Sequence, residues 1–337
     1  CGIHSTALTH DDFEVVATNG GSVVWSPLSN YLLYGATTDL RAMKDSGVLI
    51  GLGSDWSPTG SKNLLGELKV ARLVSEHAGD GNALFTPEEL VAMATINPAR
   101  ICKWSSLLGS IEAGKLADLI AISGTAGDPY ERLLDARETS ISLVVVDGVP
   151  RAGQRHLMER FEPGGSHEPI SVGRSLRLLD LTPTEEVDPL GGITLAEAKK
   201  RLRDTLADLP GAAADLDSGA TPEGFAADWE AVAVGPPPDL LAHPLETPRW
   251  VVKLDFAEDD DLFPPVGGPL DERDLADWVE PMVFEDLTVA DDPGFLHAIV
   301  HSLNLPRFVK EGLPGTYGHH IVVPSATPVP DTVDEGG

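Results

Sequence analysis

The stretch Val48-Leu49-Ile50-Gly51-Leu52-Gly53-Ser54-Asp55-Trp56 constrains this chain more than any other. Its unbroken apolar run reads as a buried strand, and it ends in glycines that deliver one carboxylate, Asp55, into a loosened turn. Val23-Val24-Trp25 is a second apolar run, followed by Pro27-Leu28-Ser29-Asn30, and His4 closes a short strand-like start. Helix signals separate these runs. Thr9 with Asp12 places a cap and an acid ahead of Phe13 to Ala17, Thr38-Asp39 opens Leu40 to Lys44, and Gly47 stands where a C-cap needs positive φ. After Asp55, Leu64 to Glu76 carries apolar residues at helical spacing, and Thr86-Pro87-Glu88-Glu89 combines an N-cap, an N1 proline and a capping acid. Strands alternating with helices in this way imply an α/β fold with a parallel sheet.

Each polar group stands where a strand gives way to a loop. In (β/α)8 barrels the catalytic residues come from the C-terminal ends of several strands, so His4, Ser29, Asn30 and Asp55 form one candidate constellation. Gly51-Leu52-Gly53 does not read as a dinucleotide loop, because Trp56 occupies the place of a third glycine and no helix opens there.

Taken in order, these motifs resemble the amidohydrolase superfamily, in its cytosine-deaminase-like, adenosylhomocysteine-deaminase-like and triazine-chlorohydrolase-like branch. Ile3-His4 is similar to the family's sixth-strand histidine, Ser26-Pro27-Leu28-Ser29-Asn30 to its seventh-strand segment, and Gly53-Ser54-Asp55 to its eighth-strand aspartate. Thr95 to Arg100 and Gly109 to Leu119 resemble the family's exit from the barrel into a small β-sandwich, so the likeness covers roughly residues 1–150. A complete barrel needs ~250 residues, and none of the ten histidines forms the family's His-x-His pair. The expectation is therefore a C-terminal portion only. Strands 6 to 8 of a TIM-like metal-dependent hydrolase barrel would fill residues 1–107, part of a small β-sandwich 108–153, and an acidic α+β extension of unrecognised family 154–337.

The resemblance implies hydrolysis of a carbon–nitrogen bond that is not a peptide, most simply deamination of a small nitrogen heterocycle by metal-activated water. It implies one divalent metal ion, zinc or alternatively iron, with Asp55 as ligand and proton shuttle. His4 would be a ligand or hydrogen-bond donor to the developing charge, while Ser29, Asn30 and Trp56 would shape the substrate pocket. The remaining metal ligands are expected to be absent from this chain, leaving the fragment inactive. Ser54 in place of the family's threonine, and Trp56-Ser57-Pro58 after the aspartate, leave the substrate open. Three other readings stand beside this one: an inactive remnant or interaction protein on the same scaffold, a carbon–halogen hydrolase of a triazine-like ring, and an N-terminal-cysteine hydrolase using Cys1.

Charge is unevenly spread. Residues 1–150 hold 10 Lys+Arg against 18 Asp+Glu, a net of -8, and the remainder holds 14 against 35, a net of -21 of the chain's -29. Such a surface repels phosphates and argues against nucleic-acid and anionic-membrane partners. Two cysteines in 337 residues make no disulfide framework, and no apolar run of spanning length appears, so a cytoplasmic protein is expected. Ile120 to Ile122 and Ile141 to Val146 read as strands, with Asp147-Gly148 a hairpin turn. In the extension, Thr194-Leu195-Ala196-Glu197 reads as a capping box ahead of a helix, and Trp250 to Phe256 as a strand. His297 and His301 share a helix face, Glu258 to Asp261 reads as a solvated loop, Pro210 to Pro248 as a linker and His319-His320 as tail. The extension would serve as an accessory domain or a homo-oligomer contact.

Overall fold

The computed structural model describes residues 1–57, 59–79, 82–161, 163, 165–182, 192–209, 211 and 293–318. The expected strand at Trp250 to Phe256, the acidic loop at Glu258 to Asp261, all of the linker but Gly211, and His319-His320 lie outside the described residues. Two compact units result, one of residues 1–180 with 287–337 and one of residues 181–286.

The first unit begins with three strands, β1 (Gly2–Ile3), β2 (Ser22–Trp25) and β3 (Leu49–Leu52), parallel and side by side in sequence order. Gly2 pairs with Val23 and Val23 with Ile50, so the C-terminal ends of all three open on the same side. Between them run α1 (His10–Thr18), α2 (Pro27–Tyr34) and α3 (Leu40–Ser46). Thr9 and Asp12 form a reciprocal capping box on α1, Asp39 caps α3 through the Ala42 N–H, and Gly47 ends α3 at φ 69°. Only a residue without a Cβ takes that left-handed C-cap at little cost.

The long helix α4 (Leu64–Ala78) covers this sheet. Val23, Trp25, Leu28, Ile50 and Leu52 bury themselves against its Leu65, Leu68 and Val70 in one core. Burying such side chains contributes about 1.5–3 kcal/mol each. α5 (Pro87–Ala94), with its Thr86–Glu89 capping box and Pro87 at N1, and α6 (Ile96–Ile101) pack next to β3. Lys69 of α4 is fully buried. Its three ammonium protons match three carbonyls, those of Leu65, Leu134 and Ala136, which also tie α4 to the end of α7 (Pro129–Asp135). Burial pushes its pKa down to about 8.

Five further strands form one antiparallel sheet: β4 (Leu119–Ile122), β5 (Ile141–Val146), β6 (Val149–Gly153), β7 (His167–Val172) and β8 (Ser175–Asp180), in the order β4-β5-β6-β8-β7. Asp147 at φ 49° and Gly148 at φ 78° make the two-residue turn between β5 and β6. Two successive positive φ values match the right-handed strand twist, the geometry that aspartate-glycine favours. α8 (Arg155–Phe161) sits against β6.

The expected fold class is corrected here. Rather than strands 6 to 8 with part of a sandwich ending at residue 153, all eight strands of the described residues lie between Gly2 and Asp180, and β7 and β8 complete the sheet inside the segment read as extension. Two helices from still further along, α10 (Pro293–His301) and α11 (Arg307–Thr316), belong to the same unit. α11 lies on α4, with Gly312 against Leu73 and with Val309 and Leu313 buried. In the second unit α9 (Leu195–Ala207) is capped by Thr194 through the Glu197 N–H and carries Glu197–Arg201 and Lys200–Asp204 pairs, with no side chain of it buried. Among the described residues no helix is long and apolar enough to cross a membrane.

Candidate functional site

The parallel register brings the three strand ends together, and with them His4, Ser29, Asn30 and Asp55. Ser29 Oγ donates to Asp55 Oδ2 at 2.5 Å, and His4 Nε2 lies 3.6 Å from the same oxygen. His4 Nδ1 and Asn30 Oδ1 are 2.7 Å apart. Both side chains of the α2 pair are fully buried, whereas His4 and Asp55 keep about a fifth and a third of their side-chain surface open. Trp56 is 70% exposed beside Asp55, and Tyr34 meets the His4 ring edge-on at 5.7 Å.

The hydrogen-bond directions place a proton on Nδ1 of His4. Thr38 Oγ1 gives its one proton to the His4 carbonyl at 2.5 Å. It must then accept from Asn30 Nδ2, 3.3 Å away, and Thr37 Oγ1, already holding the donor-only Trp25 Nε1–H, accepts from Nδ2 too at 3.4 Å. The amide group thus faces the threonines, so Asn30 Oδ1 faces His4 and accepts from Nδ1–H. With Nδ1–H committed to Asn30, Nε2 is the nitrogen left to face Asp55 Oδ2, 3.6 Å away, a gap suited to a cation. A tetrahedral divalent ion with ordinary N and O ligand lengths sets its ligand atoms about 3.4 Å apart, so His4 and Asp55 fit such an ion.

The backbone is strained at the same place. His4 has φ 63°, Ser5 φ 54° and Asp55 φ 56°. The left-handed region is uncommon for residues with a Cβ, and such outliers gather at functional sites. The Asp55 carboxyl is held below the usual carboxylate range chiefly by the Ser29 hydroxyl, partial burial opposing, with the Trp56 N–H and His4 adding to the lowering. At neutral pH it is therefore an ionised acceptor.

Two residues were not identified as functional from the sequence. Thr38 was read only as a helix opener, and Glu67 was not singled out within the helix read from Leu64 to Glu76. Glu67 is in fact fully buried near Asp55, and burial raises its pKa to about 8 against the hydrogen bonds from Ser61 and Leu28, with the Asp55 charge adding to the rise. An interior acid inside the run Leu64 to Ala71, apolar on nearly every side, is the signal that points to it.

A second group of ligand atoms corrects the expectation that metal ligands are absent from this chain. His10, Asp11 and Glu14 on the first turns of α1 each offer an atom, all within 4.8 Å of one another, and all three residues are exposed. His297 and His301 do share a face, but their rings stack at 3.9 Å and His301 Nδ1 bonds the His297 carbonyl at 2.8 Å.

Residues 1–151 match the Amidohydrolase family. The chain is 34% identical over 123 residues to a 5-methylthioadenosine/S-adenosylhomocysteine deaminase of Symbiobacterium thermophilum, covering 35% of this chain and 28% of that protein. It is 31% identical over 120 residues to an S-triazine hydrolase of Gordonia rubripertincta, covering 35% and 25%. The chain spans only about a quarter of the length of these curated relatives. A crystal structure of an adenosine deaminase from Xanthomonas campestris with bound zinc aligns at TM-score 0.41 and 25% identity, covering 44% of this chain and 36% of that one. The match also corrects the expectation of a C-terminal portion only. It occupies the N-terminal side of this chain, the same side that holds all eight described strands.

Proposed function

We propose that the strand-end cluster is the centre of a metal-dependent hydrolase acting on a carbon–nitrogen bond other than a peptide, with a small nitrogen heterocycle as substrate and deamination as the reaction. The observation that carries this reading is the 3.6 Å approach of His4 Nε2 to Asp55 Oδ2, with the other side of the ring held by Asn30 and the His4 carbonyl by Thr38. His4 and Asp55 would supply two of the three or four protein ligands such an ion takes. A divalent ion supplies Lewis acidity, lowering the pKa of water to ~7 and so providing a nucleophile at neutral pH. Asp55, ionised and steadied by Ser29, takes the proton of the attacking water and returns it to the departing nitrogen. Asn30 keeps the His4 ring in one tautomer, and Trp56 offers a flat apolar face to a ring beside the reacting carbon. The deaminase and triazine hydrolase relatives act, by name, on small nitrogen-containing molecules, which supports that substrate class. The free cysteines, Cys1 and Cys102, agree with a cytoplasmic protein.

Zinc titration of the 337-residue chain by calorimetry, followed by an ammonia-release screen over amino-substituted heterocycles, tests the reading. Zinc binding that Asp55→Ala abolishes is the expected result, and ammonia released from any heterocycle shows that the chain as given is active. Zinc binding indifferent to Asp55→Ala overturns the assignment of the centre.

A further inference from the structure

The hydrolytic reading gives Glu67 no task, yet its two oxygens serve two different segments of the chain. Oε1 accepts the Leu28 N–H at 2.8 Å. That N–H belongs to the first turn of α2, where helix donors have no intrahelical partner, and Ser26 at the N-cap makes no side-chain bond to supply one. Oε2 pairs with the Ser61 hydroxyl, and the Ser61 N–H donates to the Ser54 carbonyl at 3.1 Å. Gly60 approaches the same carbonyl so closely that a Cβ there would collide with it. A continuous set of contacts thus runs from Ser54 through Ser61 and Glu67 to Leu28, and closes through Ser29 on Asp55.

We propose that Glu67 is a positioning residue: by joining the N-terminus of α2 to the loop after β3 it holds Ser29 against Asp55 and keeps Asp55 in its left-handed conformation. The proposal rests on the reading of Asp55 as the working carboxylate. A residue with a Cβ persists at φ 56° only where its surroundings over-determine it, and the Glu67 bridge, with the Gly60 contact, supplies that determination on the side facing the core. Placing a carboxyl in an apolar interior is unfavourable unless it is hydrogen-bonded, and here both of its oxygens are engaged, each by a segment that carries part of the centre.

The test compares Glu67→Gln, which keeps an acceptor for Leu28 and a polar partner for Ser61, with Glu67→Leu, which keeps the volume and removes both. Amide hydrogen exchange, resolved by residue, reads the full chain without any need for activity. In Glu67→Leu, exchange is expected to rise at least tenfold at Asn30, bonded to the Ser26 carbonyl, and at Ser61, bonded to the Ser54 carbonyl, while Val70 in α4 stays within threefold. Glu67→Gln is expected to stay near the wild-type rates at all three. Unchanged exchange at Asn30 and Ser61 in the leucine variant, or a uniform rise that includes Val70, overturns the proposal. Should the leucine variant not fold, Ser61→Ala cuts the bridge at one end and must raise exchange at Ser61 and loosen zinc binding about tenfold, or the proposal falls. A wild-type chain that binds no zinc counts against the proposed function, and the exchange rates still decide the bridge.

Discussion

Two groups of ligand atoms lie within the first 55 residues, and they are built in opposite ways. His10, Asp11 and Glu14 come from a single stretch of α1, are exposed, and owe their proximity to helical spacing. His10 lies 3.8 Å from each of the two acids. His4 and Asp55 come from the ends of two strands 51 positions apart in sequence, and each has a buried partner that fixes its orientation, Asn30 for the histidine and Ser29 for the aspartate. Proximity on a helix surface costs the fold nothing and secures no orientation. Proximity at strand ends, with two residues in the left-handed region, requires the whole sheet to enforce it. Orientation by buried hydrogen bonds is what separates a centre from a coincidence of side chains, because a metal site depends on the partners that aim its ligands.

The difference can be broken most sharply by removing one group from each cluster. Asp55→Ala is expected to weaken zinc binding at least 100-fold, about 2.7 kcal/mol, whereas Asp11→Ala stays within about threefold of wild type; calorimetry with zinc alone reads both, and the reverse ranking would transfer the centre to α1. Next in size is Asn30→Leu. It leaves the His4 ring without its orienting acceptor and is expected to weaken zinc about 10- to 100-fold, the ordinary cost of losing such a partner, with Asp55 untouched. Ser29→Ala should act on protons as well as on the metal. Its hydroxyl is the main reason the Asp55 carboxyl sits low, so the acid limb of the pH–rate profile is expected to move to higher pH, and an unmoved limb would show that Asp55 is not the titrating group.

A separate effect concerns stability. Glu67 has a folded pKa of about 8 against an ordinary 4.5, so the folded chain keeps a proton that the unfolded chain releases. Its contribution is fully present below pH 4.5 and is lost as pH rises through 8, at up to about 1.4 kcal/mol per unit. Thermal unfolding of wild type should therefore fall in Tm across that window relative to Glu67→Gln, in which position 67 does not titrate. Parallel curves would place Glu67 in a less buried setting than the one described.

The local signals in the first hundred residues were legible because each has a short-range cause. The threonine caps at Thr9 and Thr86, the left-handed Gly47 and the apolar run into β3 all act within a few residues, and each stands where the spacing placed it. The meeting of His4, Ser29, Asn30 and Asp55 was legible only as strand-end order, since the register that unites them is long-range. β7 was obscured by Pro169, which lacks an N–H and weakens a strand reading. The structure accommodates it on the sheet's outer strand, where an N–H can be spared. Glu67 and Lys69 were obscured by their charge, because a charged side chain in a helix ordinarily marks the solvent face. Their burial depends on partners up to 67 residues away, Leu28, Leu134 and Ala136, that no local pattern announces.

The left-handed backbone at His4 and Asp55 sets stability and chemistry against each other. Glycine would sit at those two φ values with less strain than histidine and aspartate do. A laboratory population of this gene selected for heat resistance alone would therefore drift toward glycine at both positions, growing hardier as the proposed centre is erased.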